Sequence, residues 1–187
     1  MFSHLHTHTE YSMLDGLSRL EPLVARTAEL GMNSLAITDH GGMYGAIDFY
    51  KIAKAAGIKP IIGCEMYVAP SSRHERNPAE KTPYHMTVLA KSNRGYQNLI
   101  KLVTMSHLEG FYYRPRVDRE ILEQHSEDLI VMSGCPSGEV PSLILQGRMD
   151  EARATAGWYK EVFHDYYLEF MEHGDVPELP AINQGLM

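Results

Sequence analysis

The chain has 187 residues, of which 44% are apolar and 22% charged, a balance typical of a globular protein with room for one sizeable domain. Its net charge of −7 excludes a nucleic-acid binder that relies only on side-chain cations to neutralise phosphates. Two cysteines cannot build a disulfide framework, and the sequence has neither a signal-peptide pattern nor an apolar run long enough to cross a membrane. We therefore expect a soluble cytoplasmic protein with no membrane partner.

Short apolar segments alternate with stretches of helical periodicity along the chain. The predicted strands are 2–8, 34–38, 59–68, 86–90, 129–132 and 167–171. The predicted helices are 20–31, 44–57, 93–107, 118–125, 141–146 and 150–164. A long polar loop is expected at 70–83, and the tail 172–187 does not complete another unit. This alternation predicts parallel, helix-covered strands, either in a doubly wound sheet or in a (βα) barrel.

Metal-capable side chains follow the apolar strands at their carboxyl ends: His6, His8, Asp39, His40, Glu65 and Cys135. In parallel α/β folds these ends form one rim, and the loops there hold the functional site. Imidazole, carboxylate and thiolate groups are ligands of Zn²⁺, Mn²⁺ and Fe, and a pair of ions bridged by a carboxylate can cleave phosphoesters. The sequence therefore predicts a metal site that acts on phosphoesters, with bound cations offsetting part of the negative charge.

Three residues are ambiguous when each is considered alone. His85 precedes its apolar run, so the strand-end rule does not reach it, and Asp15 stands before Gly16, where a turn residue is expected. Cys135 by itself is typical of a small buried apolar side chain. A nucleophilic cysteine phosphatase of the C-x5-R type would need an arginine at position 141, where the chain has proline, so that chemistry is unsupported.

Three segments carry a resemblance to a known family: HLHTHTEYSMLDG at 4–16, AITDHG at 36–41 and GIKPIIGCE at 57–65. They resemble the polymerase and histidinol phosphatase (PHP) domain. More narrowly, they resemble the PHP domain that opens the alpha subunit of bacterial DNA polymerase III. Further similar segments at 95–99, 109–113 and 129–135 extend the resemblance to nearly the whole chain. It implies an α/β fold, a distorted (βα)7 TIM-like barrel of the PHP type. The family closes its site with an Asp-x-His motif that does not occur after position 171. We therefore expect residues 1–187 to be a PHP domain that lacks its last strand, without the polymerase domains.

By position within these motifs, the resemblance implies seven metal ligands: His6, His8, Asp15, His40, Glu65, His85 and Cys135. Glu65 would be the carboxylate that bridges two ions. Asp39 would orient its neighbour His40, whereas His4 is not a ligand in the family pattern. The implied cofactors are up to three divalent ions, Zn²⁺ or Mn²⁺, with Mg²⁺ or Fe as alternatives.

The resemblance implies metal-dependent 3′→5′ exonuclease proofreading within a replicative DNA polymerase. The primer 3′ end would be the substrate, and the rest of the alpha subunit would be a partner. His8, Asp15 and Glu65 would be catalytic. Candidate contacts to single-stranded DNA are Arg114, Arg116 and Arg119, or Arg73 and Arg76 in the long loop.

Two other functions remain open at this point. A domain that folds around metal without turnover would be a scaffold that docks the polymerase, an accessory exonuclease or other replisome subunits. A stand-alone PHP phosphatase would hydrolyse a small phosphate monoester, although polymerase-like segments such as 95–99 argue against it.

Overall fold

A six-stranded sheet with α-helices packed on it forms the framework of the described residues, which are 2–13, 15–78 and 82–187 of the computed structural model. The strands are β1 (Ser34–Ile37), β2 (Lys59–Val68), β3 (Tyr84–Ala90), β4 (Arg116–Val117), β5 (Leu129–Met132) and β6 (Tyr166–Tyr167). The helices are α1 (Leu20–Glu29), α2 (Ala46–Ala55), α3 (Asn93–Leu108), α4 (Arg119–Gln124), α5 (Glu139–Leu145), α6 (Met149–Phe163) and α7 (Leu179–Leu186). Within these ranges, none of the helices combines the length and the hydrophobicity needed to span a bilayer.

β2 is the longest strand and pairs with three others. β1 pairs in parallel with its first half and β4 pairs in parallel with its last two residues, while β3 lies on its other side. β3 runs antiparallel to both β2 and β5. The prediction of an all-parallel sheet is therefore wrong at β3. The physical reason is that the loop before β3 contains no α-helix in its described residues, and a parallel return would need a crossover connection.

The first predicted strand, 2–8, is an extended segment and not a strand. It lies beside β1, where the Ala36 N–H donates to the His4 carbonyl at 2.9 Å and the Thr38 N–H donates to the Thr7 carbonyl at 2.8 Å. These two bonds hold the segment against β1 without a continuous ladder. The segment therefore still delivers its histidines to the end of β1, as the strand-end argument requires.

Three further differences concern short elements. The sixth predicted strand, 167–171, is reduced to β6. β4 was not predicted, because two residues are too few to show the alternation of apolar and polar residues that indicates a strand. The tail forms α7, whose Leu179, Ile182 and Leu186 are buried in one cluster with Leu143 of α5. Their spacing of three and four residues is that of one helix face.

Two hydrophobic clusters join the sheet to its helices. In the larger one, Val88 of β3 and Val131 of β5 pack with Leu99 and Leu102 of α3, all of them fully buried. In the second, β1 packs against α1 and α2 through residues such as Phe49. Complete burial of one such side chain contributes about 1.5–3 kcal/mol. These clusters hold the strands in register and so set the positions of the loops at the rim.

Arg116 of β4 is buried beneath the loop that follows β2, with only 1% of its surface exposed. Its Nε donates to the Gly110 carbonyl at 3.0 Å, and its Nη2 donates to the Arg73 carbonyl at 3.0 Å and the Glu75 carbonyl at 2.7 Å. The guanidinium therefore joins the loop after β2 to the loop between α3 and β4. The prediction that Arg116 contacts DNA is corrected, because its charged end does not reach the surface.

Arg73 is also buried and is held by carboxylates. Its Nη1 donates to Asp118 Oδ1 at 2.9 Å and Glu120 Oε2 at 2.8 Å, and its Nε donates to Glu109 Oε2 at 2.9 Å. Asp118 in addition caps α4 by accepting from the Ile121 N–H. This ion cluster fixes the loop, and it leaves Arg73 unavailable for the alternative role in guiding DNA.

We expect the substitution Arg116→Met to lower the free energy of unfolding by about 3 kcal/mol, because buried carbonyls lose their donor while the side-chain volume is kept. Chemical denaturation would measure the change. Arg153→Met is the matched control, since Arg153 is largely exposed and its ion pair is with the fully exposed Asp150. The control should change stability by less than about 0.5 kcal/mol. A loss for Arg116→Met as small as that of the control would contradict the structural role.

Candidate metal centre

The carboxylate of Glu65, in β2, lies at the centre of four imidazoles and is 1% exposed. Its Oε2 is 2.6 Å from His40 Nδ1 and 3.3 Å from His8 Nε2. Its Oε1 is 3.0 Å from His85 Nδ1 and 3.6 Å from His6 Nε2. Residues from four separate segments of the sequence are thus brought within contact of one buried charge.

The strands explain why these side chains meet. His6 and His8 lie in the extended segment beside β1, and His40 follows the end of β1. A backbone bridge joins His40 to Glu65, in which the Gly41 N–H donates to the Glu65 carbonyl at 2.9 Å. His85 lies near the start of β3, and because β3 is antiparallel its start is at the same rim as the carboxyl ends of β1 and β2. This direction explains why a residue that precedes its apolar run still joins the site.

The other two predicted ligands lie at the edge of the same cluster. The Cys135 Sγ, in the loop after β5, is 3.6 Å from Glu65 Oε1 and 3.5 Å from His85 Nδ1. Asp15 Oδ2 is 2.9 Å from His40 Nε2, and the Asp15 side chain is the most exposed of the set. All of the predicted ligand positions are therefore assembled in one place by the fold.

Burial and neighbouring charges shift the pKa values of these groups. Burial alone would raise the pKa of the Glu65 carboxyl, but the contacts with His40, His6 and His85 outweigh it and hold that pKa well below its ordinary range. Burial opposes protonation of His6, yet Glu169 and Glu65 raise its pKa to about 9. Burial lowers the pKa of His8. Burial, with the charge of Glu65, raises the pKa of the Cys135 thiol to about 12. The contacts between His6 and Glu65 therefore favour a charged carboxylate at the centre of the cluster.

The donor set fits divalent ions. Among the described residues, His40 Nδ1 and Glu65 Oε2 are buried and make no hydrogen bond, although they lie only 2.6 Å apart. Two groups of possible ligand atoms converge within 4.8 Å, one from His6, His8 and Glu65 and the other from His40, Glu65 and His85. Because Glu65 belongs to both groups, its two oxygens could bind two ions. Imidazole and carboxylate ligands suit Zn²⁺, Mn²⁺ or Fe.

Glu169 is a part of this site that sequence reasoning missed. Its Oε1 accepts from His6 Nδ1 at 2.7 Å, and its side chain is mostly buried. Since a carboxylate only accepts, the hydrogen of neutral His6 is on Nδ1 and the lone pair of Nε2 faces Glu65. Glu169 falls in the middle of the predicted strand 167–171, so the strand-end rule did not select it, whereas the observed strand β6 ends at Tyr167 and Glu169 follows it.

Asp39 acts on the site through Ser12. Asp39 Oδ1 accepts from the Ser12 hydroxyl at 2.8 Å and from the Thr9 N–H at 2.6 Å. The Ser12 oxygen lies 3.2 Å from His8 Nδ1 and accepts from the His40 N–H at 3.2 Å. The orienting role expected of Asp39 is therefore directed at the His8 ring and the His40 backbone.

The three candidate DNA-binding arginines lie in different places. Arg114 lines a cleft beside the cluster, with its guanidinium carbon 5.8 Å from the centroid of the Tyr67 ring. Arg119 donates to Glu139 Oε1 at 3.0 Å and stacks over Trp158, and it lines other depressions. Arg116 is buried. Of these three, Arg114 is the one that faces the candidate site.

Comparison with known proteins agrees with this geometry. The sequence profile of the PHP domain matches residues 4–173. The alpha subunit of DNA polymerase III from Borreliella burgdorferi is 46% identical over 189 residues, covering 100% of this chain and 16% of the relative. That of Treponema pallidum is 49% identical over 177 residues, covering 92% of this chain and 15% of the relative. That of Thermus aquaticus is 46% identical over 191 residues, covering 99% of this chain and 16% of the relative.

A solved structure supports the fold. A Bifidobacterium adolescentis protein described as a candidate metal-dependent phosphoesterase superposes with a TM-score of 0.53 at 15% identity, covering 97% of this chain and 83% of that one. The predicted α/β fold of the PHP type is confirmed. The chain spans only about one sixth of the curated polymerase subunits, and it matches their N-terminal region. The chain belongs to the PHP domain family.

Proposed function

We propose that the cluster around Glu65 binds divalent ions and hydrolyses phosphodiester bonds, acting as a 3′→5′ exonuclease that removes mispaired primer ends. The observation that carries the proposal is the sharing of one buried carboxylate between two groups of imidazoles. A site with this geometry can hold two cations close enough to act on one phosphate. In an alpha subunit of DNA polymerase III, the rest of the polymerase and the primer 3′ end would be its partners.

The histidines around Glu65 would be the ligands of the divalent ions. His6 Nε2 and His85 Nδ1 face Oε1 of Glu65, and His8 Nε2 and His40 Nδ1 face Oε2. Divalent ions bound there would neutralise the scissile phosphate and lower the pKa of an attacking water. Because Glu169 contacts His6 Nδ1, a neutral His6 would offer the lone pair of Nε2 to a bound cation.

Asp15 has a separate role in this proposal. It is the exposed member of the cluster and contacts His40 Nε2, the nitrogen that points away from Glu65. With His40 it would hold a divalent ion, which would stabilise the leaving 3′ oxygen of the preceding nucleotide. His8, Asp15 and Glu65 are therefore the residues that we assign to catalysis, with Cys135 as a ligand beside His85.

Loss of one central ligand should abolish digestion of a primer with a mismatched 3′ end. We expect His8→Ala to lower the rate with Mn²⁺ or Zn²⁺ by at least about 100-fold, as losses from even the outer contacts of metal sites reach that size. His4→Ala is the matched control, because His4 lies in the same segment but is exposed and outside the cluster. The release of 3′ nucleotides from a labelled primer would be measured.

Equal digestion by the wild type and by His8→Ala would contradict the exonuclease proposal. Bound metal without any digestion by the wild type would instead favour the scaffold function. The His4→Ala control should remain within about 2-fold of the wild type, as expected for an exposed residue away from the site.

Metal content and stability give an independent test. We expect the protein to contain close to two divalent ions per chain by elemental analysis and to lose about 5–10 °C in melting temperature on chelation, because the ions bind only the folded state. Glu65→Gln should contain little metal and should not respond to the chelator. Glu29→Gln, which changes an exposed carboxylate on α1, is the control and should behave as the wild type. A wild type without bound metal and without a chelation effect would contradict the centre.

A further inference from the structure

A cleft of about 400 Å³ opens beside the metal centre and is walled mainly by aromatic rings. Asp15, His40 and His85 of the centre form part of its lining. Tyr44, in the loop after β1, lines the cleft together with residues from the loop that joins α3 to β4. Whatever enters this cleft therefore meets the ligand residues and the rings at the same time.

Three of the rings are exposed to a degree that core packing does not explain. Tyr44 is 69% exposed, Phe111 52% and Tyr113 67%. Large aromatic side chains that gather at one exposed cleft mark a binding surface, because their burial against a ligand is favourable.

Local backbone geometry supports two of these rings. A Cβ on Gly42 would lie 2.6 Å from Cε2 of Tyr44, so a larger residue there would displace the ring from its present position. Tyr113 has a φ of +60°, a left-handed conformation that is costly for a tyrosine. The two residues that flank Tyr113 are joined by a hydrogen bond, in which the Tyr112 N–H donates to the Arg114 carbonyl at 3.0 Å. Strain of this kind is typical of segments that hold a ligand-binding residue in place.

Charge in the cleft points to a ligand that combines a ring with a phosphate. The Arg114 guanidinium lies over Tyr67, and the Tyr67 ring in turn packs against His40 and His85. The cation of Arg114 thus lines the same cleft as the exposed rings, over a ring that packs against two of the predicted ligands. Asp15 lines the same cleft, so an anionic ligand would need cations at the centre to enter.

We propose that this cleft binds the unpaired nucleobases of a single-stranded 3′ end by stacking on Tyr44, Phe111 and Tyr113, while Arg114 contacts the adjacent phosphate. The inference rests on the proposed function. It specifies that the substrate of the site is a DNA 3′ end whose last bases are unpaired, and not a paired duplex. Bases inside a duplex stack on each other and cannot offer their faces to the protein. Stacking accepts every base, so the cleft selects for an unpaired end and not for sequence.

The probes for this proposal are two short single-stranded DNAs with a terminal phosphorothioate linkage, one ending in 2-aminopurine and the other in an abasic residue. With Mn²⁺ present, we expect the wild type to quench the 2-aminopurine fluorescence and to bind the complete end at least about 5-fold more tightly than the abasic end. Tyr44→Ala and Phe111→Ala should each reduce the ratio of the affinities for the complete and abasic ends toward 1. Tyr44→Phe should retain it, because the ring remains.

Tyr50→Ala is the matched control, since Tyr50 is a half-exposed ring on α2 outside the cleft, and it should leave the difference unchanged. Digestion is followed separately on the same DNA with an ordinary phosphodiester linkage. Binding that needs the base, without digestion of that DNA, would support the cleft while contradicting the exonuclease. Digestion of that DNA together with equal affinity for complete and abasic ends, or equal effects of Tyr44→Ala and Tyr50→Ala, would overturn the cleft proposal and leave the exonuclease standing.

Discussion

The burial of the Glu65 carboxylate among four imidazoles is the interaction on which the candidate site depends. A buried charge is costly unless it is paired, and here its partners can be protons or metal ions. The contacts of Glu169 with His6, and of Asp39 through Ser12 with His8, turn ring nitrogens toward this carboxylate. The surrounding polar groups are thus arranged around one negative charge, and the same arrangement prepares the site for cations.

The direction of β3 is the second constraint. β2 reaches from its pairing with β1 to its pairing with β4, and Glu65 lies between those two regions. Because β3 runs antiparallel to β2, the start of β3 faces the same rim, and His85 is brought to Glu65. A crossover helix at this point would have placed His85 at the opposite end of the sheet.

Net negative charge and phosphodiester chemistry are compatible in this structure because the arginines are divided between two tasks. Arg73 and Arg116 stabilise the interior beneath a loop, and Arg114 remains beside the centre. Attraction for a nucleic-acid end would then come from bound ions and exposed rings more than from a basic surface. That division is compatible with the proposed action on a few unpaired nucleotides.

Residue types at strand ends and the motifs around His6, His40 and Glu65 were sufficient to predict the α/β fold, the family and the set of residues that the structure gathers. The bounds of β5 were also predicted, since an apolar run of four residues between turns is a local signal. The sequence could not show that β3 is antiparallel, that Arg116 is buried, or that Glu169 contacts His6. Those facts depend on contacts between residues far apart in the chain, and local periodicity carries no information about them. The sequence by itself determined which side chains could bind metal, and only the tertiary structure decided which of them meet and which cleft they face.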